Sequence, residues 1–335
     1  MAQQLFPGAP SDAGPVNATQ APGSGGDWSD VASQVAPSVV AIQVTEGESV
    51  GSQGSGVIWD EQGHIVTNHH VVVGAGENGI DVVIGNNTYP ATLIGGDSAT
   101  DIAVLKLEKL PDDAAPIGHA DAATLEVGQE VAAIGNPLGL SGSVTTGIIS
   151  AVDRPISTGG SPTKPVITNA IQTSAPLNPG NSGGALVNRN GELIGINSAI
   201  ASVGGSSGGS KSGNIGIGFA IPVSLADKVA QQLIESGTVT HAFLGTSTID
   251  GSAEFEGQQM LGAEVKSVVD DGPSAQAGLQ VGDVIIALND TDILGSHHLV
   301  GTVRTLSVDE KVTISVIRDG ERIDLSATLA AAPDL

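Results

Sequence analysis

The 335 residues contain no cysteine, which excludes disulfides, thiol catalysis and zinc–thiolate sites and leaves the cellular compartment open. Aromatic side chains are scarce, with 4 Phe, 2 Trp and 1 Tyr. Basic residues are few as well: 12 Lys and Arg stand against 36 Asp and Glu, a net charge of −24, the wrong sign for a surface that binds nucleic acid or anionic membrane. Residues 1–27 show no basic start followed by an apolar block, so no signal peptide or membrane span is visible there. No His, Asp and Glu cluster has metal-ligand spacing, and no metal or organic cofactor is implied. What is abundant is Val, Ile, Ala and 47 Gly, a composition that favours many short strands joined by glycine turns over helix bundles. The length suits two domains, or one large one with tails.

One stretch organises the rest. From Gln172 to Val187 the chain places Ser182 among glycines just before an apolar strand. Pro176 and Pro179 keep the approach out of regular helix or sheet, and Gly180 and Gly183 let backbone N–H groups point outward. Outward amides around a serine are what a developing oxyanion needs. The same residues would also make an ordinary turn, so the reading depends on whether the chain supplies a base and an orienting acid. His69 and His70 follow an apolar arm, His64 to Thr67, of a hairpin whose other arm is Gly56 to Trp59. Adjacent histidines point different ways, so at most one faces a given cleft, and either could instead be packed and hydrogen-bonded in the fold. Asp101 opens the apolar run Ile102 to Leu107; a carboxylate there needs a cation or an imidazole N–H as partner. A turn-capping role is the alternative, and it suits Asp97 better than Asp101.

Further strands are expected at 38–44, 81–84, 89–94, 129–134, 147–152, 193–199 and 216–221. An amphipathic helix with Leu225, Val229, Leu233 and Ile234 on one face should end at Ser236-Gly237. The glycine- and serine-containing stretches 46–54, 157–164 and 202–213 are expected to be mobile loops.

Thr67-Asn68-His69-His70-Val71, Asp101-Ile102-Ala103-Val104-Leu105-Lys106 and Gly180-Asn181-Ser182-Gly183-Gly184-Ala185-Leu186 resemble the three catalytic blocks of the HtrA/Deg serine proteases. Their order, His then Asp then Ser, is that of the chymotrypsin-like fold. The resemblance implies Ser182 as nucleophile, His70 as general base, Asp101 as orienting carboxylate and the N–H groups of Gly180 and Ser182 as oxyanion hole. It also implies a substrate pocket around Leu177, Ile196, Asn197 and Ser198 that favours small aliphatic side chains. Two departures stand out: relatives often carry an acidic residue at the position of Ser174 and a small one at that of Pro176.

Gly262 to Val265, Pro273 to Leu279 and Val281 to Asn289 resemble a PDZ domain, with a helix at 296–306 and strands at 311–318 and 323–329. The resemblance places its peptide-binding loop at Phe243, Leu244, Gly245 and Thr246, the last where relatives usually carry an apolar residue. The expected architecture is therefore mostly β: a chymotrypsin-like double β-barrel followed by an α+β PDZ domain. Its expected parts are a flexible tail at 1–29, a protease domain at 30–237 and a PDZ domain at 238–335. Function follows the resemblance: a serine endopeptidase of protein quality control, acting on unfolded or damaged proteins, with peptide C-termini as PDZ partners. A chaperone-like binding protein with a latent protease site is the alternative, and a degenerate scaffold is disfavoured because all three blocks are intact. By the same resemblance a homotrimer is expected, in the cell envelope or otherwise outside the cytoplasm. The full-length protein would carry a membrane anchor that these residues do not include. Phe6 and Trp28 are the tail's main apolar surface and would support the trimer.

Overall fold

A computed structural model describes residues 27–46, 49–76, 79–137, 142–161, 164–178, 180–200 and 216–333. The expected loop at 202–213, and Phe6 with most of the expected tail, lie outside them. The fold begins with helix α1 (Trp28–Val35), so residues 28 and 29, expected in the tail, belong to an ordered element. Val31 and Val35 on its inner face are buried and Trp28 packs against the same core. Arg189 lies 4.3 Å from the Trp28 ring, and the indole remains partly exposed.

Six strands close the first barrel: β1 (Val39–Glu46), β2 (Ser49–Ile58), β3 (His64–Thr67), β4 (Ile80–Ile84), β5 (Asn87–Asp97) and β6 (Ile102–Leu107), in the order β1-β2-β3-β6-β5-β4. Helix α2 (His69–Val72) sits directly after β3. The stretch 49–54, expected as loop, is the first half of β2 and pairs with β1 from Glu46↔Ser49 to Ile42↔Gly54. Neighbouring backbone decides this, because a strand already hydrogen-bonded along one edge accepts small residues opposite it.

The second barrel contains β7 (Glu130–Gly135), β8 (Ser143–Ser161), β9 (Lys164–Thr173), β10 (Ala185–Val187), β11 (Leu193–Ile200) and β12 (Gly218–Pro222), closed in the order β10-β11-β12-β9-β8-β7. Of the expected loop at 157–164, residues 157–161 and 164 are instead strand, paired between β8 and β9 as far as Ser161↔Lys164. Strand β6 is buried at five of its six positions, as expected of an apolar run between two layers. Each fully buried Ile or Leu of these barrels contributes about 1.5–3 kcal/mol of transfer free energy. Helix α3 (Val223–Ser236) closes the unit, burying Leu225, Val229 and Leu233, and stops at Gly237, whose φ of 75° is the left-handed conformation of a helix end.

The remaining residues form β13 (Ala242–Phe243), β14 (Thr246–Phe255), β15 (Gln258–Val268), α4 (Pro273–Ala277), β16 (Val284–Leu288), β17 (Thr291–Asp292), α5 (Ser296–Thr305), β18 (Lys311–Arg318), β19 (Glu321–Thr328) and β20 (Ala330–Ala331). Strands β14, β15, β16, β18 and β19 make one sheet over a separate core that includes Val265, Ile285, Leu299, Ile314 and Val316. The expected mostly β architecture, a chymotrypsin-like double barrel followed by a PDZ unit, is thus present.

Helix α5 and the segment before β13 lie against the barrels. Asn169 Nδ2 donates to Thr302 Oγ1 at 3.0 Å, and His298 Nε2 lies 2.8 Å from Asp153 Oδ2. His241 Nε2 stands 3.0 Å from Asp97 Oδ2, close enough for an ion pair but off the line of a hydrogen bond. Burial alone would raise the Asp97 carboxyl. His241, the Thr100 hydroxyl and the Ala99 amide together outweigh that effect and hold it below the ordinary value of 3.8. A carboxyl depressed in the folded state contributes stability that is full above the unfolded value and lost as pH falls through the folded one. Asp97→Asn is accordingly expected to cost most near pH ~5 and progressively less as pH falls below about 4. Urea unfolding of both proteins across this range checks it, and an increment that does not change with pH would contradict the pairing.

Candidate active site

Three elements bring the three motifs together. Strand β3 ends at Thr67, and α2 turns His70 toward the turn that precedes β6. There Asp101 adopts a φ of 60°, a left-handed conformation that a non-glycine residue keeps only where its surroundings hold it. They do so on both sides of the residue. The Asp101 carbonyl accepts from His69 N and Asn68 Nδ2, each at 3.0 Å. Its carboxylate accepts from His70 N at 2.9 Å and from Ser198 Oγ at 3.1 Å.

His70 Nδ1 lies 2.8 Å from Asp101 Oδ2 and 3.1 Å from Oδ1. Two carboxylate oxygens can only accept, so Nδ1 carries the proton, and Nε2 of the neutral ring is left with its lone pair. The Asp101 side chain is 9% exposed and that of His70 52%. One end of the pair is shielded while the other meets solvent and anything bound there.

Ser182 occupies the turn between β9 and β10. Gly183 has a φ of 84°, and a Cβ on it would stand 2.1 Å from Ser55 O and 2.3 Å from Thr67 Oγ1. Only glycine lets this turn press so closely on the first barrel. Gly180, with a φ of 98°, meets Pro137 in the same way. The Asn181, Gly183 and Gly184 amides donate to Asn178 O, Asn197 O and Asn181 O. The Ser182 amide has no acceptor among the described residues, which suits a donor kept for an anion. The Ser182 hydroxyl donates to Ser198 O at 3.2 Å. Among the described residues it makes no hydrogen bond to His70. Ser198 thus serves both partners, its carbonyl holding the Ser182 hydroxyl and its own hydroxyl holding Asp101.

Ser55, which the sequence does not single out, commits all its polar groups to this arrangement. Its amide donates to Ser182 O at 2.8 Å and its hydroxyl to Gly180 O at 2.7 Å. That hydroxyl also accepts from Asn136 N at 2.8 Å, and the Ser55 carbonyl accepts from Thr67 Oγ1 at 2.7 Å. The only sequence signal is a serine between Gly54 and Gly56, which looks like any turn. At the two departures noted above, Ser174 Oγ accepts from Ile148 N at 3.0 Å, and Pro176 O accepts from Thr145 Oγ1 at 2.7 Å. The approach to Ser182 is therefore pinned to β8.

Of the residues expected around the substrate pocket, Leu177 is buried in the second barrel beneath Gly218, where a Cβ would stand 2.9 Å from its Cδ1. Ile196 and Asn197 are fully buried. Asn197 Nδ2 donates to Ala185 O at 2.9 Å and reaches Ile134 O at 3.4 Å. A substrate would therefore meet this strand through its backbone and Ser198 rather than through these two side chains, because both are fully buried.

In the C-terminal unit, Phe243 ends β13 and Thr246 begins β14. The Leu244 carbonyl accepts from Ser274 N at 3.0 Å and Ser274 Oγ at 2.6 Å. The Gly245 carbonyl accepts from Val269 N at 2.9 Å. The Leu244 and Gly245 amides have no acceptor among the described residues. Thr246 Oγ1 donates to Ser267 O at 2.9 Å, so its hydroxyl is used within the sheet. Among the described residues no group of three or more His, Asp and Glu side chains could hold a metal ion.

Comparison with known proteins agrees with this geometry. Residues 54–196 match the model of the trypsin-like peptidase domain, and residues 241–329 that of the PDZ domain. Serine protease PepD of Mycobacterium tuberculosis is 40% identical over 324 residues, covering 92% of this chain and 68% of its own. A probable periplasmic serine endoprotease, DegP-like, of Pseudomonas savastanoi is 42% identical over 288 residues; this chain spans 57% of its length. The solved HtrA-type protease AlgW with tripeptide superposes with a TM-score of 0.69 at 36% identity, covering 92% of this chain and 99% of that one. Two closed barrels, a PDZ sheet and relatives at this identity across nearly the whole chain place it in one family: it belongs to the HtrA-type serine proteases.

Proposed function

We propose that the chain is an endopeptidase that cleaves unfolded or damaged polypeptides through an acyl-enzyme on Ser182. The observation that carries this reading is the buried Asp101 carboxylate 2.8 Å from His70 Nδ1, which leaves Nε2 as the base. Serine is a weak nucleophile until a neutral imidazole takes its proton. In the proposed cycle Ser182 Oγ attacks the scissile carbonyl while its proton passes to His70 Nε2. The oxyanion is met by the Ser182 and Gly180 amides, and each such donor is worth about 10²–10³ in rate. Collapse breaks the C–N bond as the proton moves from His70 to the departing amine. Water then attacks the acyl carbon, gives its proton to His70, and Ser182 leaves with that proton. Before the first step the Ser182 hydroxyl exchanges Ser198 O for His70 Nε2, so the structure drawn here is a resting one.

The PDZ unit is proposed to hold peptide C-termini, with the carboxylate at the free Leu244 and Gly245 amides and the chain added along β14. Binding there would recruit substrate or shift the resting equilibrium by no more than the peptide's difference in affinity for the two states. An extracytoplasmic location follows the periplasmic relatives, and a homotrimer follows the family resemblance. The second reading, a chaperone-like protein with a latent site, draws on the Ser182–Ser198 bond.

Digestion of one polypeptide in its folded and its reduced, unfolded forms separates the readings. The unfolded form should be cut faster, and by family resemblance mainly after small aliphatic residues. Equal rates for the two forms, or preferential cleavage after arginine, would contradict this part of the proposal.

A further inference from the structure

The five residues from Asp97 to Asp101 carry the carboxylate of the site, and they are held from the PDZ side. Within the turn, Asp97 Oδ1 accepts from Ala99 N at 3.2 Å, and Oδ2 accepts from Thr100 N at 3.2 Å and Thr100 Oγ1 at 2.5 Å. Two groups from beyond α3 close on the same residues. His241 stands beside Asp97, as described above. Arg304, in the last turn of α5, donates from Nη1 to Ala99 O at 2.9 Å and to Ile167 O at 2.5 Å. Ala99 precedes β6 of the first barrel, and Ile167 lies in β9 of the second. One guanidinium nitrogen therefore ties both barrels together at the turn that ends in Asp101.

We infer that Arg304 is a positioning residue for Asp101: its bridge from Ala99 O to Ile167 O holds the Asp97–Asp101 turn so that the carboxylate meets His70 Nδ1. The inference rests on the reading of Asp101 as the orienting carboxylate. Three features support it. Asp101 sits in a left-handed conformation that needs outside restraint, and Ala99, the residue Arg304 grips, is only two positions away. Arg304 is partly buried, so a charge there is retained only with good acceptors. And α5 has other anchors on the barrels, Thr302 and His298 among them, so the PDZ unit does not depend on Arg304 to remain in place.

The test compares Arg304→Met, Arg304→Lys and Asn169→Ala with the parent protein. Asn169→Ala removes a neighbouring contact to α5 that does not touch the turn. Two readouts are taken: the low-field proton resonance of the His70 Nδ1–H bonded to Asp101, and kcat and KM on a short chromogenic peptide. Arg304→Met should lose or shift the resonance and lower kcat about 10- to 100-fold, with KM within about twofold, because a small misplacement of a reacting group costs rates of this order. Arg304→Lys should restore the resonance and most of kcat, since an ammonium can donate to both carbonyls. Asn169→Ala should lower Tm while leaving the resonance in place. The inference is overturned if Arg304→Met keeps the parent resonance and kcat, or if Asn169→Ala shifts both as far as Arg304→Met does. Should none of the proteins hydrolyse peptide, the proposed function fails, and the resonance alone still decides the role of Arg304.

Discussion

Ser182→Ala is expected to lower peptide hydrolysis by about six orders of magnitude, to the residual rate that binding and the oxyanion donors sustain without a nucleophile. The alanine removes one oxygen whose hydrogen bond in the resting structure is to the Ser198 carbonyl. The surrounding turn is held by other groups, including Ser55 N on Ser182 O and Gly183 N on Asn197 O. The fold should therefore survive, with Tm within a few degrees of the parent and peptide binding at the PDZ unit unchanged. Casein degradation measured with both proteins at equal concentration gives the comparison. Degradation by the alanine variant above about one thousandth of the parent rate would remove Ser182 from the role of nucleophile.

Asp101→Asn should cost about 10⁴ in kcat at neutral pH. The asparagine is nearly the same size, so the loss is one of chemistry. Asp101 offers His70 two oxygens, at 2.8 and 3.1 Å. An amide offers one oxygen and one NH₂. If the NH₂ faces the ring, Nδ1 must accept, the proton moves to Nε2, and no lone pair faces Ser182. The substitution also removes a negative charge that stabilises the imidazolium formed during attack. The expected pattern is a large fall in kcat with KM little changed, since Asp101 does not meet the substrate. A loss of less than about tenfold in kcat would show that His70 keeps its working tautomer without a carboxylate, against the ordinary behaviour of such pairs.

Much of this site is legible in the sequence because chemistry-bearing residues sit in short, ordered blocks. His70 and Asp101 lie 31 residues apart in segments whose apolar runs announce β3 and β6, and the glycines around Ser182 signal outward amides. The separation of Asp97 from Asp101 was also readable: Asp97 caps the turn, as its position before Ser98-Ala99-Thr100 suggests, and the buried lip position of Asp101 demands a partner. What escaped was set by distant backbone. The Gly- and Ser-containing stretch 49–54 resembles a loop by composition, yet the edge of β1 turns it into strand. Residues 157–161 become strand by the pairing of β8 with β9 in the same way. Ser55 is invisible because its partner, Gly180, is 125 residues away. Trp28 reads as tail until Arg189 and the barrel core are seen to flank it. Ile196 and Asn197 belong to the right strand, but Ile196 packs in the core shared with α1 and α3 and Asn197 is buried on the carbonyls of Ala185 and Ile134, placements that a short apolar stretch does not announce.

His70 is expected to activate Ser182, although the two are not hydrogen-bonded in the resting structure. Intact-mass analysis after treatment with a fluorophosphonate, followed by peptide mapping, tests it most directly. One adduct should form per chain, on Ser182, and His70→Ala should abolish it on the same timescale while leaving the far-ultraviolet circular dichroism spectrum unchanged. An adduct on another residue, or labelling of Ser182 at the parent rate in His70→Ala, would contradict the account.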